Sequence, residues 1–245
     1  MLGRVVVIIQ ARMTSTRLPE KVTLPLAGAT MLNRVLERAS AIPGADHVCI
    51  AAPEGEIHDP IADIVEQFPD VSLERGPESD VLRRYALAAA ATDATTVIRI
   101  TSDCPLIDPQ VSGAVIALAQ ATGSPLARTA LDSGYPHGYD TEYFSAELLR
   151  IADRDATDPY DREHVSPYLW ARSEEYPAVF LGRRPDRRSW RVTVDTPEDY
   201  ARVCGIYDRL HPQNPLFGMK ELEALYAAEP ELLRNRAAAD TPAGT

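Results

Sequence analysis

Short apolar runs alternate along the first half of the chain with segments whose apolar residues recur at helical intervals. Residues 5–9 form a continuous aliphatic run, which is typical of a strand covered on both faces in a parallel sheet. Residues 47–51, 71–73 and 97–100 are predicted as further strands, and residues 30–41, 57–68, 79–91 and 109–121 as helices. Repeated strand–helix units of this length predict an α/β fold with a mostly parallel sheet and right-handed crossovers.

The alternation becomes less regular after about residue 126. Residues 189–194 are predicted as a late strand, and residues 158–172 as a helix that contains Pro167. A further helix follows Thr196, a predicted N-cap, with Pro197 at its first position. Residues 237–245 are small and polar and are predicted to be disordered. We therefore predict one domain, residues 1–236, with a short tail.

Composition and charge narrow the classes of function. The net charge of −11 argues against general nucleic-acid binding, which requires a basic face. The first 38 residues nevertheless contain six cations and two acids, a local excess that suits a small anionic ligand. Three widely spaced cysteines form no disulfide framework and indicate a reducing cytoplasm. No stretch approaches the roughly 20 apolar residues of a membrane span, and the N-terminal apolar run is too short for a signal peptide.

The loop after the first predicted strand, QARMTSTRLPEK, carries Arg12, Arg17 and Lys21. Ligands of open α/β sheets bind beyond the carboxyl ends of the strands. Arginine and lysine offer charge-assisted donors there, and small hydroxyl residues such as Ser15 allow backbone amides to approach phosphate oxygens. The loop has neither the Walker A pattern nor the dinucleotide-binding glycine pattern. Two interpretations remain, a phosphate-binding loop and a solvated basic loop.

Two aspartates follow predicted strands without being needed as helix caps. Asp103 lies in ITSDCPLIDP, where Asp108 is placed to cap the next helix, and Asp195 lies in VTVDTPED, where Thr196 has that role. Mg²⁺ is usually held by one or two protein carboxylates together with substrate phosphate oxygens. The alternative is that both aspartates are turn formers, the more common role of a single aspartate after a strand.

At this point the sequence resembles a known family, the cytidylyltransferases that make CMP-activated acid sugars. It is most similar to the spore-coat-polysaccharide-type enzymes and is also similar to CMP-Kdo synthetases. The blocks that carry the resemblance occur in the expected order: QARMTSTRLPEK, GPESDVLRRY, VIRITSDCPLIDP, YPHGYDTE, DREHVSPYLW and WRVTVDTPEDYARV. The resemblance implies a Rossmann-like, GT-A-type fold. It also implies transfer of CMP from CTP to an acceptor, Mg²⁺ dependence and release of pyrophosphate.

The resemblance also implies roles for individual residues. Arg12, Arg17 and Lys21 are expected to stabilise the triphosphate and the leaving pyrophosphate, and Asp103 and Asp195 to hold the metal. Nucleotide contacts are expected from Ala11, Arg12, Ser15, Arg17, Lys21, Gly76, Ser79, Asp80 and Ser102. Residues 126–190 are expected to contribute the acceptor-binding part, with contacts from Tyr135, His137, Asp140, Glu142, Glu163 and His164.

Several alternatives stay open at this stage. The Ser79-Asp80 pair is equally well explained as a helix N-cap, and Arg83 and Arg84 are expected on a solvated helix face. The basic residues that bind the sugar carboxylate in CMP-Kdo synthetases cannot be matched, so the acceptor is an acid sugar or a related sugar, phosphate or phosphonate compound. Competing functions are a GT-A glycosyltransferase, disfavoured by the lack of an Asp-x-Asp motif, and a non-catalytic nucleotide sensor. Dimers are common among the resembling enzymes, so a homodimer is expected.

Overall fold

The central strand, β1 (Val5–Gln10), has apolar side chains on both of its faces. The computed structural model describes residues 3–129, 133–172, 174–183 and 185–233. Val5, Val7 and Ile9 pack into one apolar cluster, while Val6 and Ile8 pack into a second cluster on the opposite face of the sheet. Because both faces are covered by helices, the strand is apolar without interruption.

Seven strands of the described residues form one sheet, in the order β5-β4-β1-β6-β8-β7-β9. β8 is antiparallel to both of its neighbours, and the other adjacent pairs are parallel. A two-stranded ribbon of β2 and β3 follows the first loop. The predicted α/β fold with a mostly parallel central sheet is confirmed. The strands after β1 are β2 (Pro25–Leu26), β3 (Ala29–Thr30), β4 (His47–Pro53), β5 (Val71–Gly76), β6 (Thr96–Thr101), β7 (Leu126–Arg128), β8 (Glu142–Ser145) and β9 (Ala178–Phe180).

Helices cover both faces of this sheet. The helices are α1 (Met31–Ser40), α2 (Asp59–Val65), α3 (Val81–Ala91), α4 (Pro109–Thr122), α5 (Ala146–Asp155), α6 (Pro159–His164), α7 (Pro167–Trp170), α8 (Pro197–Leu210), α9 (Met219–Ala228) and α10 (Pro230–Leu233), with short 3₁₀ helices at Lys21–Thr23 and Glu56–His58. Apolar residues of α1, α2 and α4 join the first cluster, and those of α3, α5 and α7 join the second. Within the described ranges, no helix is both long and apolar enough to span a bilayer.

Three of the predicted helix caps form as the sequence indicates. Thr30 accepts a hydrogen bond from the amide of Asn33, and Asp108 accepts bonds from the amides that open α4. Thr196 caps α8 within a capping box, and Pro197 occupies the first helical position. Since other residues do the capping, the carboxylates of Asp103 and Asp195 are free for other contacts.

Two predicted elements of the second half are wrong. Residues 189–194 form no strand and contribute only an isolated bridge between Arg191 and His137, although the alternate residues Trp190, Val192 and Val194 are buried in a third apolar cluster with α8 and α9. The predicted helix at 158–172 is divided into α6 and α7, because Val165 has φ of 74° and cannot continue a helix. The tail at 237–245 lies outside the described residues.

Candidate active site

A cavity of about 580 Å³ opens at the sheet edge where β1 and β6 end. Its walls come from the loop after β1, the ends of β6 and β7, the start of β8, and helices α3 and α6. The start of β8 reaches this edge because that strand runs antiparallel to its neighbours. Segments that lie far apart in the chain therefore bring most of the predicted site residues to one place, at the carboxyl edge where α/β sheets bind ligands.

The loop after β1 forms one wall of the cavity and carries three of the predicted phosphate contacts. Ala11 is buried at the start of the loop, and the side chains of Arg12, Ser15 and Arg17 line the cavity. Arg12 and Arg17 are exposed to solvent, and the Arg17 side chain is 63% exposed. The described loop thus presents two accessible guanidinium groups beside small hydroxyl side chains, a set of donors suited to an anionic ligand.

Lys21, at the end of this loop, is a buried cation between the two predicted metal ligands. Its Nζ lies 3.3 Å from Asp103 Oδ2 and 3.1 Å from Asp195 Oδ1, and it donates to the carbonyl of Val194 at 2.8 Å. The sequence-based expectation placed this ammonium on the triphosphate. In the structure its ammonium instead has three protein acceptors, and it holds the two aspartates together.

Asp103 lies two residues beyond the end of β6 and accepts a hydrogen bond from the hydroxyl of Thr101. Burial by itself raises the pKa of the Asp103 carboxyl, but the charge of Lys21 and the Thr101 bond outweigh it, so this pKa lies below its ordinary value. Asp103 is therefore ionised at neutral pH. The preceding residue, Ser102, is buried and also lines the cavity.

Asp195 is surrounded by cations. Besides Lys21, Arg17 lies 3.2 Å from Asp195 Oδ1, and Arg191 lies 2.6 Å from Oδ2. The backbone before Asp195 is an extended segment rather than the predicted strand. Its position opposite Asp103 is set by the amide of Val194, which donates to the carbonyl of Asp103 at 2.8 Å. One backbone bond and one shared ammonium thus join two residues that lie far apart in the sequence.

The donor set around Lys21 fits a magnesium ion. Asp103 and Asp195 offer hard carboxylate oxygens, the ligands that Mg²⁺ prefers, and the ammonium shows that a cation is accommodated between them. Within the described ranges, no group of three or more His, Cys, Asp or Glu side chains is arranged to hold a metal. A magnesium ion at this position would therefore need further oxygens from a ligand, as is usual for Mg²⁺ bound with nucleotides.

Three of the residues predicted to contact the nucleotide are not part of the cavity. Gly76, Ser79 and Asp80 lie outside the cavity wall. Asp80 caps α3 by accepting from the amide of Arg83, and its carboxylate forms a bidentate pair with Arg162 at 3.0 and 2.6 Å. The capping alternative therefore describes Asp80 in this structure, with its carboxylate committed to protein partners.

Arg84 was expected on a solvated face of α3, and that expectation is wrong. The side chain is buried, donates to the carbonyls of Pro77 and Glu78 at 2.9 and 2.8 Å, and lines the cavity. Burial lowers the pKa of its guanidinium. The sequence does contain an indication that Arg84 is buried, because Arg84 lies at helical spacing from the buried Val81 and beside Tyr85.

Three charged side chains form a row across neighbouring strands on the far side of the cavity. Glu142 on β8 is the register partner of Arg99 on β6 and of Arg128 on β7. Its carboxylate accepts from Arg99 at 2.7 Å, from the hydroxyl of Ser166 at 2.8 Å and from the indole of Trp170 at 2.8 Å. Glu142 was expected to bind the acceptor, but these bonds occupy both of its oxygens and make it an anchor for its neighbours.

Arg128, in contrast, has a guanidinium group with few protein partners. It stacks on Trp170 at 4.0 Å from the ring centroid, lies 5.6 Å from that of Phe180, and is 3.9 Å from Glu142. Stacking fixes the planar group without using its hydrogen-bond donors. Arg99 already balances the charge of Glu142. The three side chains of the row therefore carry a net charge of +1, which Arg128 presents to the cavity. Arg99 and Arg128 were not among the predicted site residues, because their pairing with Glu142 depends on strand register.

The remaining acceptor candidates occupy the rim. His137 Nδ1 lies 3.1 Å from Asp140 Oδ2, and this neighbouring carboxylate raises the pKa of His137. Both residues line the cavity, as do the exposed Glu163 and His164 at the end of α6. Tyr135 lies outside the cavity wall and packs instead against the third apolar cluster.

Comparisons with known proteins agree on one kind of enzyme. A family model described as "Cytidylyltransferase" matches residues 6–235. The chain is 31% identical over 240 residues to the spore coat polysaccharide biosynthesis protein SpsF of Bacillus subtilis, covering 94% of this chain and 97% of that protein. It is 27% identical over 238 residues to a 3-deoxy-manno-octulosonate cytidylyltransferase of Solibacter usitatus, covering 82% and 93%. A solved cytidylyltransferase structure from Leptospira borgpetersenii superposes with a TM-score of 0.90 at 29% identity, covering 96% of this chain and 98% of that one.

Proposed function

Because the chain belongs to the cytidylyltransferase family, and is therefore a nucleotidyltransferase, we propose that it transfers CMP from CTP to an oxygen of an acidic acceptor. An acceptor oxygen forms a bond to the α-phosphorus of CTP, and the bond from that phosphorus to the bridging oxygen of the β-phosphate breaks. The electron pair of the broken bond leaves with pyrophosphate, and the acceptor proton passes to solvent. Such transfer depends on positioning and on charge neutralisation more than on covalent help from the protein.

The observation that carries this proposal is the arrangement of opposite charges at the mouth of one cavity. Arg12 and Arg17 present accessible guanidinium groups, and beside them Lys21 lies between the carboxylates of Asp103 and Asp195. The arginines bind the triphosphate and stabilise the charge that builds on the leaving pyrophosphate. The two aspartates would hold Mg²⁺, which when bound neutralises phosphate charge.

The charged row on the far wall supports an acidic acceptor. The fixed guanidinium of Arg128 supplies one positive charge beside the balanced pair of Arg99 and Glu142. A carboxylate, phosphate or phosphonate group fits this donor. The names of several related proteins point the same way, since they describe transfer to 3-deoxy-manno-octulosonate, a sugar acid. In this proposal the acceptor hydroxyls contact His137 and Asp140, which line the rim of the cavity.

A pyrophosphate-release screen tests the proposal. Each of the four nucleoside triphosphates is combined with sugar acids, their neutral amides, sugar phosphates and alkyl phosphonates, with and without Mg²⁺. We expect release only with CTP, only with Mg²⁺, and only with anionic acceptors. Release from ATP or GTP but not CTP would overturn the choice of base. Release with the neutral amides would overturn the acidic acceptor, and triphosphate binding without turnover on any acceptor would favour a nucleotide sensor.

A further inference from the structure

The stem of the loop after β1 is held by a histidine from another part of the fold. The backbone amide of Met13 donates to Nδ1 of His58 at 3.2 Å. The carbonyl of the same residue accepts from the amide of Glu20 at 3.0 Å, which closes the loop between them. His58 belongs to the 3₁₀ helix that follows β4, so the contact joins two separate segments. Both backbone groups of Met13 are therefore fixed at the base of the loop that carries Arg12 and Arg17.

His58 differs from a histidine that merely fills the core. Its side chain is completely buried, yet its Nε2 has no hydrogen-bond partner among the described residues. The nearest charged oxygen, Glu78 Oε2, is 3.7 Å away, beyond hydrogen-bond distance. A buried polar atom without a partner costs free energy that an apolar side chain would avoid. Retaining a histidine here is favourable only if the bond that Nδ1 makes is worth that cost.

The tautomer of His58 follows from this bond. A backbone amide always donates, so Nδ1 must be the unprotonated acceptor and Nε2 must carry the proton. Nε2 lies 3.7 Å from one oxygen of Glu78, and the other oxygen of Glu78 accepts from the hydroxyl of Thr14. The Thr14 bond lowers the pKa of the Glu78 carboxyl, and the charge of Arg12 acts in the same direction. Two successive loop residues, Met13 and Thr14, are thus tied to neighbouring elements.

We propose that His58 is a positioning residue for the triphosphate loop. By accepting the Met13 amide, its Nδ1 holds the loop so that Arg12, Arg17 and the amides between them are aligned before the triphosphate binds. An aligned loop loses less conformational freedom on binding, which favours affinity for the ligand. The inference rests on the proposed function for the identity of that ligand, a nucleoside triphosphate.

Three substitutions distinguish positioning from packing. His58→Asn places an amide oxygen close to the position of Nδ1 and retains the acceptor. His58→Gln carries its polar group out to the position of Nε2 and loses the bond to Met13, and His58→Leu removes both polar atoms. His47→Leu is the control, since His47 bonds to Ser72 between β4 and β5, away from the loop.

The first measurement is the kinetics with CTP. We expect His58→Leu and His58→Gln to raise KM for CTP about three- to tenfold, the loss of one hydrogen bond, with kcat and the acceptor KM within twofold of the wild type. His58→Asn and His47→Leu should stay within twofold in every constant. Equal effects in the Asn and Leu variants, or effects confined to kcat or to the acceptor KM, would overturn the proposal.

Two further measurements do not depend on turnover. Calorimetry with inorganic tripolyphosphate should show the same ranking of affinities, even if CTP is not the donor. Amide hydrogen exchange of the unliganded protein should be faster across residues 13–17 in the Leu and Gln variants than in the Asn variant. Uniform exchange in all variants, or unchanged tripolyphosphate affinity, would overturn the proposal whatever the outcome of the acceptor screen.

Discussion

Replacing Lys21 with methionine should destabilise the protein and at the same time make it more responsive to Mg²⁺. Methionine has a similar length and fills the same space, but it removes the ammonium that lies between Asp103 and Asp195. Asp195 retains Arg17 and Arg191 as partners. Asp103 loses its only ion pair among the described residues and keeps the hydrogen bond from Thr101. The cost therefore arises mainly from one uncompensated carboxylate.

The magnitude follows from the exposure of these groups. Removing one partner of a fully buried ion pair costs about 3–5 kcal/mol. The side chain of Lys21 is 10% exposed and that of Asp103 is 28% exposed, so water solvates part of the remaining charge. We therefore expect the free energy of unfolding to fall by about 2 kcal/mol. This corresponds to a decrease of roughly 1 M in the urea midpoint for a domain of this size.

Urea unfolding followed by circular dichroism measures this loss, first without metal and then in millimolar MgCl₂. Lys220→Met is the matched control, because Lys220 is exposed and is the only other lysine of the chain. Mg²⁺ should restore stability to the Lys21 variant more than it stabilises the wild type, since it no longer competes with the ammonium. If the Lys21 variant loses no more stability than the control, water already solvates the Asp103 carboxylate well enough to replace the ammonium. An equal Mg²⁺ effect in both proteins would place the metal elsewhere.

Four other substitutions probe the site and the charged groups beside it. Asp103→Asn and Asp195→Asn should each reduce pyrophosphate release about a hundredfold or more and leave metal-free CTP binding unchanged. If either variant keeps near-normal Mg²⁺-dependent turnover, the replaced aspartate only forms a turn. Arg128→Met should raise the acceptor KM about ten- to a hundredfold, with KM for CTP unchanged, and an unaffected acceptor KM would contradict its role. Burial of Asp199 opposes its charge, but its hydrogen bonds, above all to Arg202, hold the pKa below its ordinary value. Asp199→Asn should therefore lower the free energy of unfolding most above pH about 4, and its stability should approach that of the wild type as acid protonates the wild-type carboxylate. Thermal melts of both proteins at several pH values measure this difference in stability. A difference that does not change with pH would contradict the prediction.

Local signals in the sequence were sufficient for much of the fold. The caps at Thr30, Asp108 and Thr196 form as predicted, because each depends on a side chain and an amide two or three residues away. The continuous apolar run at residues 5–9 identified a strand buried on both faces. The prediction of a strand at 189–194 was wrong because it, too, relied on a local pattern, the alternation of apolar and polar residues. Its alternation does report which side chains are buried, but it carries no information on whether a neighbouring strand is there to pair with it.

Site residues that lie together in one loop could be predicted from the sequence. Site residues that come together only through the register of paired strands could not. Arg12, Ser15 and Arg17 could be identified because they follow one strand in one short segment. The pairing of Arg99 and Arg128 with Glu142 depends on how three strands align, and no local pattern in the sequence encodes that alignment. An arginine within the apolar run VIRI was the available clue, since a buried guanidinium requires a partner.

The antiparallel direction of β8 has a consequence for how this enzyme can evolve. β7 ends at Arg128 and β8 begins at Glu142, so the chain leaves and re-enters the sheet at the same edge, beside the cavity. The segment is anchored at both ends, and Tyr139 and Thr141 are buried within it, so changes at its half-buried positions that line the cavity need not shift the register of the strands. Such changes would leave the loop after β1, on another wall of the cavity, as it is. On the proposed function, substitutions there would alter the preference for the acceptor while the pairing of the strands stays the same.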